Sequence, residues 1–298
     1  MTLLSDQADD IRALVAAADP GAVWAFGDAD GVHAGSHDGQ TVVDAGGLRA
    51  VLALWPVIGS LVEDGSLRLH TPIAAYGETD APAGTTAHHL LTHPAGSADL
   101  TRLAERLTGS PLGELAATRI WGPLGMTATR FADGTLHASL ADLVRFLRHL
   151  LTPEPVAQDE PAGHDEPAGQ GEPAGQDERA GHDEPAGQDE PARYDEAAAQ
   201  AEPAGRAVPT HAWTTESLRI RTGELTPARG LLWHPAPHGV WTHPAPADDG
   251  PATWISLRLH RWAILLPTAA GQRPLRSAFR EAAFQRTGAR ALPGWDVR

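Results

Sequence analysis

TVVDAGGLRAVLALWPVIGSLVEDG, residues 41–65, is the segment from which the organisation of the chain can be worked out. Its second half is apolar at Leu48, Val51, Leu52, Leu54, Trp55, Ile58, Leu61 and Val62, close to helical spacing, and it stops at Asp64-Gly65, where a C-cap glycine belongs. The pattern predicts a buried helix over Leu48–Asp64.

Upstream, Asp6–Ala18 reads as an amphipathic helix with Ile11, Leu14 and Val15 on one side, stopped by Asp19-Pro20-Gly21. Ala22–Gly27 and Gly31–Ala34 read as two strands around the turn Asp28-Ala29-Asp30. Downstream come Ser66–Tyr76, the run Thr85–Gly96 (TTAHHLLTHPAG), a helix over Ala98–Gly109, the segment Ile120–Phe131 (IWGPLGMTATRF), and a helix over Leu140–Leu151. His89 and His93 stand four apart, a zinc-ligand spacing on a helix, but no His-Glu-x-x-His glutamate accompanies them; we expect no metal there.

From about 153 to 207 the chain repeats a six-residue unit, Asp-Glu-Pro-Ala-Gly-Gln/His. A β-helix needs an apolar residue in every turn, and this repeat supplies none. Its low hydrophobicity, high charge and frequent proline predict a disordered acidic insertion, with 1–152 and 208–298 forming one domain around it. Beyond it, Arg229–Trp233, Val240–Thr242, Thr253–Leu257 and Trp262–Leu266 read as strands and Leu275–Arg286 as a closing helix.

Composition narrows the function. The net charge of −15 is carried mostly by the repeat: fifteen acidic residues against three arginines put −12 there and leave −3 for the rest. No basic patch supports nucleic-acid binding. Cysteine is absent, so disulfides and thiol chemistry are excluded. No run reaches the roughly 20 apolar residues of a membrane span, and the acidic N-terminus is unlike a signal peptide; a cytoplasmic protein is the expectation. All 23 basic residues are arginine, so the chain contains no lysine.

These motifs carry a resemblance. Thr41-Val42-Val43-Asp44-Ala45 with Leu48 and Leu61–Gly65, the His-His-Leu-Leu-Thr-His run at 88–93, Pro123-Leu124-Gly125-Met126 and Ala141–Phe146 together resemble the serine β-lactamase-like family, which groups class C β-lactamases, penicillin-binding D-Ala-D-Ala peptidases and related esterases. The resemblance implies an α+β fold: an antiparallel sheet built from N- and C-terminal strands, flanked by helices, with a helical subdomain. It implies that Ser66–Tyr76 is structural and that Ala132–Ser139 is the remnant of a longer loop lining a cleft.

The resemblance also implies three catalytic elements, and each is altered. The nucleophilic serine falls on Gly47 and the lysine one turn on falls on Ala50; sliding the register by one gives Leu48 and Val51, which is no better. The Tyr-x-Asn element would follow Gly96, but the next helix begins almost at once, and the two tyrosines, Tyr76 and Tyr194, lie in a structural segment and in the repeat. Where His-Thr-Gly or Lys-Thr-Gly belongs stands His243-Pro244-Ala245, with proline expected to remove a donor from an inner strand.

The expected function is therefore a catalytically inactive member of a serine hydrolase family, without cofactor or metal. Gly47, Ala50 and His243 are its vestigial positions, and the old cleft is open to a small-molecule ligand. The alternatives are a residual hydrolase using Ser36, Ser97 or Ser139 with His37, His93 or His243, a scaffold whose acidic loop meets a cationic partner, and a decaying gene without a selected role. Nothing in the sequence sets the oligomeric state.

Overall fold

The computed structural model describes residues 3–36, 39–93, 96–152, 209–222, 227–244 and 249–285. The chain divides into a unit formed by residues 1–154 and 205–298 and a second formed by 155–204. The second holds nearly all of the acidic repeat and lies outside the described residues, as does the expectation of disorder there.

Helix α1 (Leu3–Ala18) leads into the antiparallel strands β1 (Val23–Asp28) and β2 (Val32–Gly35). The turn between them is set by Asp28, whose Oδ1 accepts from the amides of Asp30 and Gly31 at 2.9 and 3.0 Å. After β3 (Val42–Asp44), a tight turn over Gly46–Leu48 and a wide helical turn over Ala50–Leu54 feed α2 (Trp55–Glu63). The helix expected over Leu48–Asp64 is present, but its first turn is widened.

Four short or medium helices follow: α3 (Ala87–Thr92), α4 (Ser97–Thr108), α5 (Leu112–Ala116) and, after a hairpin, α6 (Leu140–Leu151). That hairpin, β4 (Arg130–Ala132) and β5 (Thr135–Ser139), corrects the reading of Ala132–Ser139 as a loop remnant. Asp133 and Gly134 both take positive φ, 50° and 79°, which matches the twist of a two-residue hairpin, and β5 pairs β3 as well. Helix α7 (His211–Ser217), capped by Thr210 Oγ1 on the Trp213 amide at 3.1 Å, had no counterpart in the sequence reading.

The strands β6 (His234–Ala236), β7 (Val240–His243), β8 (Ala252–Ser256) and β9 (Arg261–Leu266) complete the main sheet before α8 (Arg273–Phe284). Its order is β2-β1-β9-β8-β7-β6, all antiparallel, so the N-terminal hairpin is joined to the C-terminal strands through β1 and β9. Two strand expectations need correcting. Arg229–Trp233 is a turn in which Leu232 adopts a φ of 63° and the Gly230 amide bonds the Trp233 carbonyl. Pro244 stands just after the last pair of β7, His243 with Thr253, so it removes no donor from within the strand.

Side-chain alternation divides the sheet between two cores. Trp24 and Phe26 of β1, Trp254 of β8 and Leu265 of β9 face α1 and α8, where Ile11, Val15 and Phe279 are buried. Ala25, Ile255, Trp262 and Ile264 face the helical side, centred on α2. There Trp55 is fully buried against the rings of Phe146, Trp213 and Trp233, 5.9–6.5 Å between centroids, and its Nε1 donates to Ser217 Oγ at 2.9 Å. Asp142, buried in α6, accepts at Oδ2 from the Ala128 amide and Thr129 Oγ1 and pairs at Oδ1 with Arg145. This fixes the Gly125–Thr129 turn that the sequence marked as a signature.

Candidate functional site: the Gly46–Leu48 turn and an imidazole-lined cavity

The α2 segment begins at Gly47 and Ala50, the positions on which the sequence resemblance lays the nucleophile and its lysine. Gly47 is exposed at the middle of the Gly46–Leu48 turn, whose first amide donates to Asp44 Oδ1 at 2.7 Å. A methyl group added at Gly47 would stand 3.2 Å from Cδ of Pro251, just before β8, inside ordinary carbon–carbon contact distance. Ala50, one turn on, is half-buried and carries no group that can accept or donate a proton. Between them Arg49 turns away, its guanidinium 5.4 Å from the centre of the Phe131 ring.

The remaining sequence candidates are distributed as follows. Ser36 Oγ bonds the backbone of Trp24 at the end of β2, and Ser139 Oγ caps α6 through the Asp142 amide at 3.2 Å. Both hydroxyls are held in backbone hydrogen bonds. Tyr76 accepts from the Arg68 amide at 2.9 Å, a structural contact. His37 and Tyr194 lie outside the described residues. His93, Ser97 and His243 come together around one cavity.

That cavity has a volume of about 210 Å³ and is lined by His93, Ser97, Arg229, Trp233, His234 and His243 among others. Its frame is the Gly230–Trp233 turn. The Leu232 amide donates to the Leu91 carbonyl at the end of α3 at 2.7 Å, and His243 Nδ1 on β7 bonds the Leu232 carbonyl at 2.7 Å. The Leu231 amide bonds Ser217 of α7 at 3.0 Å, and a methyl on Gly230 would lie 2.2 Å from the same carbonyl, so only glycine allows this approach. His243 is buried, its ring edge-on to Trp233 with centroids 6.3 Å apart. His93 is exposed beyond α3, its Nδ1 2.7 Å from the His89 carbonyl. No hydrogen bond joins Ser97 Oγ to His93 or His243 among the described residues.

The α3 side is rich in bases. His70 and His88 rings lie 4.9 Å apart, with His89 beyond. Burial lowers the His88 pKa below the ordinary imidazole value, and the neighbouring His70, Arg221 and His89 lower it further. Among the described residues no three His, Asp or Glu side chains are grouped to hold a metal ion, and no helix is long and apolar enough to cross a membrane. Arg229, Trp233 and His234 were not singled out from the sequence, because a site made by a turn folded between three elements leaves no local motif.

No protein-family model matches the chain, and no curated relative does. Solved structures do. A β-lactamase from Mycobacterium bovis shares 18% identity over 89% of this chain and 94% of its own, with a TM-score of 0.59. A class C β-lactamase from Rhodobacter sphaeroides shares 12% identity over 92% and 97%, with a TM-score of 0.57. A β-lactamase/D-alanine carboxypeptidase from Yersinia pestis, complexed with citrate, shares 11% identity over 94% and 98%, with a TM-score of 0.60. The chain therefore has the α+β fold of serine β-lactamases and penicillin-binding proteins, with its antiparallel sheet of N- and C-terminal strands flanked by α1 and α8.

Proposed function

We propose that this chain is a degenerate member of the serine β-lactamase-like hydrolases that has lost the Ser-x-x-Lys, Tyr-x-Asn and His/Lys-Thr-Gly elements and acts as a catalytically inactive binding protein. The observation that carries the reading is the pair Gly47 and Ala50 at the head of the α2 segment: neither side chain offers a nucleophile or a base, and the chain has no lysine to supply from elsewhere. In another serine hydrolase, loss of the nucleophile costs on the order of 10⁶ in kcat, about 8 kcal/mol of transition-state stabilisation. A Cβ at position 47 would stand 3.2 Å from Pro251 Cδ, so Pro251 would have to give by a few tenths of an ångström to admit a serine.

One observation favours a second reading, a residual hydrolase: His93, Ser97 and His243 line a single cavity. Nucleophilic catalysis needs serine and base within hydrogen-bond reach, and Ser97 makes no such bond to either histidine. Turnover of nitrocefin and of p-nitrophenyl acetate by the purified chain distinguishes the two. The inactive reading expects the buffer rate; turnover abolished by Ser97→Ala supports the second.

A further inference from the structure

We infer that Asp133-Gly134, the turn of the β4–β5 hairpin, is a site of spontaneous aspartyl isomerisation, in which the main chain comes to run through the aspartate side chain. The chemistry is a cyclisation followed by hydrolysis. The Gly134 amide nitrogen gives up its proton and bonds to Asp133 Cγ, the Cγ–OH bond of the carboxylic acid breaks, and one water leaves a five-membered succinimide. Water then adds at one of the two ring carbonyls and breaks its bond to nitrogen: opening at Cγ restores aspartate, and opening at the backbone carbonyl leaves isoaspartate. Glycine after the aspartate favours the first step because it has no side chain to crowd the attacking nitrogen. The sequence has no asparagine and five Asp-Gly pairs, at 30–31, 38–39, 64–65, 133–134 and 249–250.

Hydrogen bonding sets these pairs apart. The Gly31 amide is held by Asp28 Oδ1 at 3.0 Å and the Gly65 amide by the Val62 carbonyl at 3.2 Å, so neither nitrogen is free to attack. Asp64 is tied as well, to the Ser66 amide at 2.9 Å and to Arg119 at 2.7 Å, and Asp249 is paired with Arg273 at 3.5 Å. Asp38 lies outside the described residues. Asp133 and Gly134 are exposed, and no hydrogen bond or ion pair holds the Asp133 carboxylate among the described residues.

The backbone is the second observation. Asp133 and Gly134 have φ of 50° and 79° between the paired Ala132 and Thr135, a two-residue turn of the I′ type. The other two-residue turn, II′, keeps a positive φ at its first position and sets ψ there to about −120°. At that ψ the Gly134 nitrogen eclipses Asp133 Cβ, the arrangement that the succinimide ring requires. Passing from I′ to II′ rotates the single peptide plane between the two residues and takes Gly134 to a negative φ, which glycine adopts as readily as a positive one. Ring closure therefore proceeds without opening the hairpin. Isoaspartate lengthens the loop by one main-chain carbon, and loop length fixes hairpin register, so the modification acts on β5, which pairs with both β4 and β3.

The test is incubation of the full-length chain in mildly acidic buffer at physiological temperature, with a portion kept unfolded in urea. Tryptic peptide mapping follows, with electron-transfer fragmentation to distinguish isoaspartate from aspartate. Dividing the folded by the unfolded rate at each pair cancels the effect of its flanking residues. The ratio at Asp133 is expected to exceed those at Asp30, Asp64 and Asp249 by about fivefold or more, the factor that breaking one further hydrogen bond or ion pair imposes. Asp133→Glu, whose ring would need six members, is expected to remove isoaspartate from the tryptic peptide 131–145. A ratio at Asp133 no greater than at the tied pairs would overturn the inference, as would an isoaspartate signal from that peptide that survives Asp133→Glu.

Discussion

Single residues carry most of the functional conclusion. Gly47 and Ala50 were read from the flanking pattern from Thr41 to Gly65, and the chain has no lysine at any position. The role of Pro251 was not legible, since a contact between positions about two hundred residues apart appears only once β8 stands beside the Gly46–Leu48 turn. His88 gives a prediction at this scale. Its folded pKa lies below the unfolded value of about 6.5, so its contribution to stability is present above that pH and is lost as pH falls, when the unfolded state binds the proton more readily. Thermal unfolding measured from pH 7.5 down to pH 5 is expected to show falling stability, and His88→Gln is expected to flatten part of that fall. A variant with the same pH slope as the parent would mean that the His70–His88–His89 cluster is not coupled to folding.

At the level of elements, periodicity identified the helices α1, α4, α6 and α8 and the strands β1, β2, β7, β8 and β9, because each buries a face whose spacing is written in the sequence. It failed where tertiary contacts override local pattern. Arg229–Trp233 is apolar enough for a strand, yet Leu232 is drawn into a left-handed turn by bonds to Leu91 and His243. The β4–β5 hairpin was missed although Asp133-Gly134 is a two-residue turn signal. The turn at Gly230 can be tested directly. Ala at this position would place its methyl 2.2 Å from the Ser217 carbonyl, which forces the turn away from α7. Gly230→Ala is expected to cost about 2–3 kcal/mol, as other overpacked sites do, and to lower Tm by about 5–10 °C. An unchanged Tm would show that the turn is not anchored as described.

For the whole molecule, the two-sided sheet and the central Trp55 make the folded unit, and its boundaries follow from where apolar patterning stops and returns. The acidic repeat contributes most of the net charge and no apolar periodicity. The described residues end after α6 and resume before α7 at neighbouring points: His149 Nε2 lies 2.7 Å from the Pro209 carbonyl, and Thr210 Oγ1 bonds Glu63 in α2. Replacing residues 155–204 by a short Gly-Ser linker is therefore expected to leave Tm within about 2 °C of the parent by calorimetry, a change of under about 1 kcal/mol. A larger loss would mean that the repeat is part of the folded core.

The central claim, that the fold persists without its acyl-transfer chemistry, is tested most directly by the intact mass of the folded chain after incubation with a fluorophosphonate and with a penicillin, beside an active enzyme of the same fold. The prediction is an unchanged mass for the wild type. Stoichiometric covalent labelling of the wild type would contradict it, and the labelled residue would identify a nucleophile outside the Gly47–Ala50 turn.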